Sequence, residues 1–442
     1  MATITLLIIY QIKKMKHLIL ILLLAISLSA CTFKSNSLTE QSSNPLVERQ
    51  LLQMLENKEM FRLEACLEKE RSQISNGIVL FLEAHLQNAF NQIEQSLQTI
   101  DLLFDKYCNS LNDTLLLGIY MLKADNLNKQ FQYGASVEAM KTAITNYGHT
   151  MDSVTFVSVR NYCNLFEPLR ELPPQKMHIT TDITIPIRSQ YGHIQIQVKS
   201  NGKSENFIFD TGANVSVINE SCAKRFGIQV LEESSLEVGI ESGEKIQSKV
   251  GIADSLWIGD LLVENVAFLV IADNIFKHCP GIIGFPIMYQ MKEIRIHKYE
   301  SITVPVNPKK RDLHNLFLNG SNMYVQAVTE SDTVLMFLDS GFGISRFSER
   351  YFTAQQEKIL EKGTLKSYQR QTDNGSINTQ YYVLKNMPFQ IAGYELTIPS
   401  ISVISEKILS SENYDGFLGR DILMNFNTTI LNFEDMYLTF EE

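Results

Sequence analysis

Two short segments of this 442-residue sequence place a carboxylate in the same setting. Phe207-Ile208-Phe209-Asp210-Thr211-Gly212 and Met336-Phe337-Leu338-Asp339-Ser340-Gly341 each run three apolar residues into an Asp-Thr/Ser-Gly triplet, and the two aspartates are 129 residues apart. A single triplet means little. Here each is followed by a second glycine-bounded apolar element, Gly281-Ile282-Ile283-Gly284 or Gly416-Phe417-Leu418-Gly419, at a mutual offset of 135. Two carboxylates held about 3 Å apart cannot both ionise readily, so one keeps a proton and serves as acid while the other serves as base. Such a pair can activate a water against an amide carbonyl and protonate the leaving nitrogen, with no metal and no covalent intermediate. The protons belong to the pair, so neither Asp210 nor Asp339 is assigned a fixed role. Gly212 and Gly341, lacking Cβ, let backbone approach the carboxylates closely.

The elements that position these residues follow from periodicity. After Pro174 the apolar period becomes two, as in His193-Ile-Gln-Ile-Gln-Val198, which reads as a strand. The duplication continues past the second glycines: Tyr299, Glu300, Ile302 and Val304 match Phe433, Glu434, Met436 and Leu438 at an offset of 134. From about Val47 to Phe166 the spacing is helical instead, and proline is absent from Leu46 to Glu167. A weak repeat at an offset of 40 relates Ala84 to Ala124, Ser96 to Ser136 and Tyr107 to Tyr147. Paired helices of this length resemble tetratricopeptide-type repeats, which implies either a partner-binding groove or a plain helical spacer. Pro168, Pro173 and Pro174 mark the boundary.

Composition narrows the function classes. With 45 % hydrophobic and 20 % charged residues the chain is globular, and 39 basic against 49 acidic residues, net −10, argues against nucleic-acid binding. The six cysteines form no CxxC pair and the eight histidines no HExxH, so neither a zinc site nor a metalloprotease is expected, and no cofactor. Lys13, Lys14, Lys16 and His17 precede the apolar run Leu18–Leu24 and then Leu28-Ser29-Ala30-Cys31, which is the layout of a secretory signal. Met15-Lys16 opens a signal of ordinary length, so the preceding residues read as a misassigned start. The ending resembles the lipobox of bacterial lipoproteins, which implies lipidation of Cys31 and tethering to a bacterial membrane in the cell envelope. The polar stretch to Pro45 reads as a flexible tether.

With both triplets and both glycine elements in place, the segment from about His178 to Glu442 resembles a retropepsin-type aspartic protease present as two fused lobes. The resemblance covers about 60 % of the chain. It implies a closed β fold with the site between lobes, and hydroxyls of Thr211 and Ser340 that hydrogen-bond across the interface. It also implies that a second chain segment threads under each active-site loop at Gly284 and Gly419. Pepsin-like enzymes carry Ser or Thr after the triplet, where this sequence has Ala213 and Phe342, so a higher pKa for the pair is expected. Each lobe should carry a hairpin over the cleft: Gly239–Lys245 and Thr372–Ser376 are the candidates. Phe342 fills a substrate pocket or crowds the cleft. Arg420-Asp421 resembles the Gly-Arg-Asp/Asn turn of retroviral enzymes, whose arginine makes a structural ion pair. Trp257 is expected in the core, and so is Cys222. His278-Cys279 is a poor nucleophile pair, because adjacent residues seldom face each other.

The expected fold is multidomain, α plus all-β: helical hairpin repeats followed by a two-lobed closed-β aspartic protease fold. The expected boundaries are signal peptide 1–31, tether 32–45, helical domain 46–170, lobe 1 at 176–308 and lobe 2 at 309–442. The expected activity is that of a membrane-tethered aspartic endopeptidase acting on peptide or protein substrates through Asp210 and Asp339, with a protein partner at the helical region in the repeat reading. Three alternatives stay open: an inactive relative that binds peptides through the same cleft, an assembly factor acting through the helices, and a dimer that pairs Asp210 with Asp210 of a second chain.

Overall fold

Helices build the first compact unit and strands the second, with the division between Leu172 and Pro173. The computed structural model describes residues 43–442 except 191, 240–244, 276–278, 331, 373–374 and 406–412. The leader with Cys31, most of the tether, and His278 therefore lie outside the described residues.

In the first unit, Pro45–Glu56 packs on Met60–Glu70, Asn76–Ala89 on Ile93–Lys106, and Asp113–Lys129 on Tyr133–Tyr147, and Ser153–Phe166 follows. Asn112 and Asp152 cap their helices by accepting from Leu115 N (3.0 Å) and Thr155 N (2.7 Å). The offset-40 repeat has a physical basis. Ser96 Oγ donates to Ala84 O (2.7 Å) and Ser136 Oγ to Ala124 O (2.8 Å), so each hairpin is latched by the same buried bond between two small residues. The hairpin turns match as well, with Asn91 (φ 60°) and Phe131 (φ 58°) in the left-handed region. A buried polar chain joins successive hairpins: Asn88 Nδ2 donates to Asn126 Oδ1 (2.8 Å), and Asn126 Nδ2 to Ser96 Oγ (2.8 Å).

In the second unit the duplication becomes two rings of strands. The first ring uses β3 (His193–Ser200), β4 (Lys203–Phe209), β5 (Ser216–Asn219), β7 (Lys245–Ile258), β8 (Leu261–Ile271) and β9 (Gly281–Ile283). Its order is β3-β4-β9-β5-β8-β7, closed by β7 returning to β3 through Val198↔Ile258 and Lys199↔Trp257. The second ring repeats the order with β13 (Asn322–Thr329), β14 (Asp332–Leu338), β19 (Gly416–Leu418), β15 (Arg346–Phe347), β18 (Tyr394–Ile404) and β17 (Gly375–Ile391), closed at Val328↔Gln390. Closure removes sheet edges that would otherwise expose unpaired backbone. The apolar faces of both rings belong to one continuous core running from Ile183 to Phe440.

A sheet shared by the lobes fixes them to each other. In it β10 (Glu293–His297) and β20 (Thr428–Asn432) pair antiparallel, with Arg295 opposite Ile430, flanked by β11 (Ser301–Val304) and β21 (Tyr437–Glu441). Buried Glu293 locks this seam: it accepts from Asn432 Nδ2 (2.8 Å), Lys309 N (2.8 Å) and Arg295 Nε (2.7 Å). The register here corrects the offset of 134. Ile302 lies opposite Ile296, and Leu438 opposite Leu431, so Ile302 corresponds to Leu438 rather than to Met436. The turn before β21 is one residue longer than the turn before β11, which raises the offset from 135 to 136. A slip of two residues preserves the alternation of strand faces, which is why the apolar pattern matched at the wrong register.

Two further expectations change. Trp257 is 44 % exposed and so is not a core residue. The two candidate hairpins are β6 (Gln229–Gly239) with β7, and β16 (Thr364–Thr372) with β17, at equivalent places in the two rings, and their tips at 240–244 and 373–374 lie outside the described residues.

Candidate active site

Asp210 and Asp339 leave the ends of β4 and β14, the equivalent strands of the two rings. Each strand lies parallel to a short partner, β9 or β19, and each aspartate begins its loop with the same bond: Asp210 N donates to Ile283 O (3.1 Å) and Asp339 N to Leu418 O (3.0 Å). The two loops meet face to face. A Cβ added to Gly212 would lie 2.6–2.8 Å from the Asp339 carboxylate, and one added to Gly341 would lie 2.4–2.6 Å from that of Asp210. Both aspartates are buried, at 2 % and 0 % exposure. The glycines are required because any side chain would fill the space where the opposing carboxylate sits.

Crossed bonds hold this arrangement. Thr211 N donates to Ser340 Oγ (2.9 Å) and Ser340 N to Thr211 Oγ1 (2.8 Å). Each hydroxyl then donates deeper into the other lobe, Ser340 Oγ to Phe209 O (3.0 Å) and Thr211 Oγ1 to Leu338 O (3.4 Å). Gly284 and Gly419 lie beneath the loops. A Cβ on Gly284 would come within 2.6 Å of Ala213 O and Val215 O, and one on Gly419 within 2.9 Å of Phe342 O.

Asp210 Oδ1 accepts from Gly212 N (2.9 Å) and from Gly341 N of the other lobe (3.1 Å). Burial pushes the Asp210 carboxyl above its ordinary value. The two glycine N–H groups, a hydrogen bond with the Asp339 carboxyl, and the charge of Arg420 oppose that shift without cancelling it.

Sequence reasoning missed several groups. Ser216 and Ser345 are themselves 129 apart, and each hydroxyl accepts from the underlying glycine, Gly284 N (3.1 Å) and Gly419 N (2.9 Å). Their shared offset with the aspartates was the available signal. Position 342 does supply a donor after all: the Phe342 backbone N–H bonds Asp339 Oδ1 (3.0 Å). The Phe342 ring packs on Phe417 (5.3 Å between centroids), with the Arg346 guanidinium 4.5 Å from its centre. Arg420 also departs from expectation. In place of an ion pair it donates through Nη1 to the loop carbonyls of Ser340 (2.8 Å) and Gly341 (2.9 Å). Cys222 is buried on the helix Glu220–Phe226, and Cys279 is buried with its thiol pushed up by desolvation, so neither is poised as a nucleophile.

Comparison with known proteins finds limited likeness. Residues 196–289 match the family described as "gag-polyprotein putative aspartyl protease". No curated protein sequence matches. Among solved structures, basic 7S globulin from soybean aligns over 61 % of this chain and 95 % of its own, at 10 % identity and a TM-score of 0.38. A retropepsin-like aspartic protease from Rickettsia conorii aligns over 29 % of this chain and 91 % of its own, at 19 % identity and a TM-score of 0.21. The chain is thus similar in sequence to aspartic proteases over part of its length, the part that contains Asp210-Thr211-Gly212.

Proposed function

We propose that this chain is an aspartic endopeptidase that hydrolyses peptide bonds with a water activated between Asp210 and Asp339. One observation carries the reading: two equivalent loops, one from each ring, bury their carboxylates against each other and are clamped there by crossed Thr211 and Ser340 bonds. In the mechanism the ionised member of the pair takes a proton from water as oxygen attacks the amide carbonyl. The protonated member gives its proton to the carbonyl oxygen. Collapse of the resulting diol returns a proton to the leaving nitrogen, which restores the pair. The buried site favours this because a desolvated pair keeps a single proton over a wide pH range. An intrachain pair accounts for the fused second lobe better than a homodimer, since Gly341 occupies the face that a second chain would need.

The test is cleavage of an unfolded protein pool by residues 32–442 from pH 4 to 8, with Asp210→Asn and Asp339→Asn in parallel. Loss of cleavage in both variants is expected. Loss only in Asp210→Asn would instead indicate a homodimeric site, and an inactive parent protein at every pH would leave a peptide-binding role. Export and anchoring through Cys31 belong to the same proposal: Cys31→Ala should move the protein from the membrane fraction to the soluble one.

A further inference from the structure

Among the described residues, Arg420 is a cation bonded to no carboxylate. Its Nη1 is committed to Ser340 O and Gly341 O and lies 3.4 Å from His193 Nδ1. The adjacent acid, Asp421, is turned to Ser345, whose N and Oγ donate to it at 2.6–3.0 Å. With both Nη1 protons used on those carbonyls, His193 Nδ1 stands beside the guanidinium without a proton of its own from Nη1. Burial and the Arg420 charge push His193 down to about 4, so it stays neutral at pH 7 and adds no second charge.

The other terminal nitrogen, Nη2, donates to nothing among the described residues. Among the described residues, and apart from each glycine's chain neighbours, a Cβ on Gly192 of lobe 1 would meet Arg420 Nη2 at 3.9 Å, and one on Gly343 of lobe 2 would meet the same nitrogen at 3.3 Å. Two glycines, one from each lobe, thus frame a donor that bonds nothing among the described residues. Asp210 and Asp339 are near enough for their charge to act on Arg420, as are Tyr299 and Asp421. The feature is one-sided. At the position equivalent to Arg420, lobe 1 has Phe285, and at the position equivalent to Gly343 it has Asn214.

A half-buried cation with an unused donor beside the reacting pair gains by binding an anion. We propose that Arg420 Nη2, framed by Gly192 and Gly343, is a subsite for a carboxylate of the bound peptide, supplied by an acidic side chain or by a free C-terminus. This deepens the proteolytic reading and rests on it.

The test is binding to full-chain Asp210→Asn, so that affinity is read without turnover. Four pools of random decapeptides serve as probes: with or without glutamate and aspartate in the mixture, each with a free or an amidated C-terminus. Retention of a carboxylate-bearing pool about tenfold above the pool that lacks both is expected, as one charge-assisted bond provides. The preference should fall as salt rises. It should be lost in Arg420→Gln and only partly kept in Arg420→Lys, which retains charge without the planar fork. Preference for free termini assigns the subsite to peptide ends, and preference for acidic residues assigns it to side chains. Equal retention of all four pools overturns the proposal, whether or not the Arg420 variants fold. Selective binding together with no cleavage by the unsubstituted protein would keep the subsite and sink the proteolytic reading. Cleavage with no selectivity would do the reverse.

Discussion

The crossed bonds between Thr211 and Ser340 predict a definite order of stability losses. Both residues are buried, at 2 % and 1 % exposure, so water cannot replace a lost partner. Ser340→Ala removes the acceptor for Thr211 N and a 3.0 Å bond to Phe209 O. An orphaned buried N–H costs about 1–3 kcal/mol and a lost bond about 1 kcal/mol, which gives a loss of about 2–4 kcal/mol. Thr211→Val orphans Ser340 N in the same way, but the hydroxyl it removes donates at 3.4 Å, too long to contribute much. Its loss should be nearer to about 1–3 kcal/mol. The double variant should lose less than the sum, because breaking one crossed bond lets the loops separate and weakens the other. Urea unfolding followed by tryptophan fluorescence is the assay. Trp257, the only tryptophan, sits in β7, so the signal reports the β-rich unit and is blind to the helices. Unit-specific readout matters because a chain of two units need not unfold in one step. Losses under about 0.5 kcal/mol in both single variants would refute the reasoning. So would a clearly larger loss for Thr211→Val than for Ser340→Ala.

Other consequences are open to measurement. Since the folded state raises the Asp210 pKa above 3.8, the protonated form is favoured on folding, and this contribution is present at low pH and lost as pH rises through the folded value. Asp210→Asn should therefore raise the melting temperature of the β-rich unit at pH 7 and change it little at pH 3, as calorimetry can show. Ala213→Ser would add a donor next to Asp210 and should move the acidic limb of the pH–rate profile to lower pH, and an unmoved limb would count against the role given to that position. Gly284→Ala should destabilise more than Gly419→Ala in thermal melts, because its Cβ meets two backbone carbonyls at 2.6 Å rather than one at 2.9 Å. Glu293→Ala leaves Arg295, Lys309 N and Asn432 facing an empty seam between the lobes and should cost about 3–5 kcal/mol by urea unfolding.

Local patterns carried much of this protein into view from sequence. A change of apolar period from helical spacing to two separates the helical unit from the strands, because burial of one face imposes the period of the element. Duplication was legible at the aspartates and the glycine elements, where chemistry and close backbone approach leave few alternatives. It was misread at Met436, since strand faces repeat every two residues and cannot report a slip of two. Trp257 was misplaced for a related reason: an aromatic on a strand faces the core or the solvent according to how the sheet curls, which no window of sequence contains. The partners of Arg420, Ser216 and Ser345 were invisible. Each is a side chain that reaches a loop remote in sequence, Arg420 to Ser340 and Gly341, Ser216 to Gly284, and Ser345 to Gly419. Residue types and spacing thus determined that two carboxylates of equivalent setting exist. Only ring closure and the shared sheet decided that they face each other, because hydrogen bonds between strands more than a hundred residues apart hold the lobes in that relation.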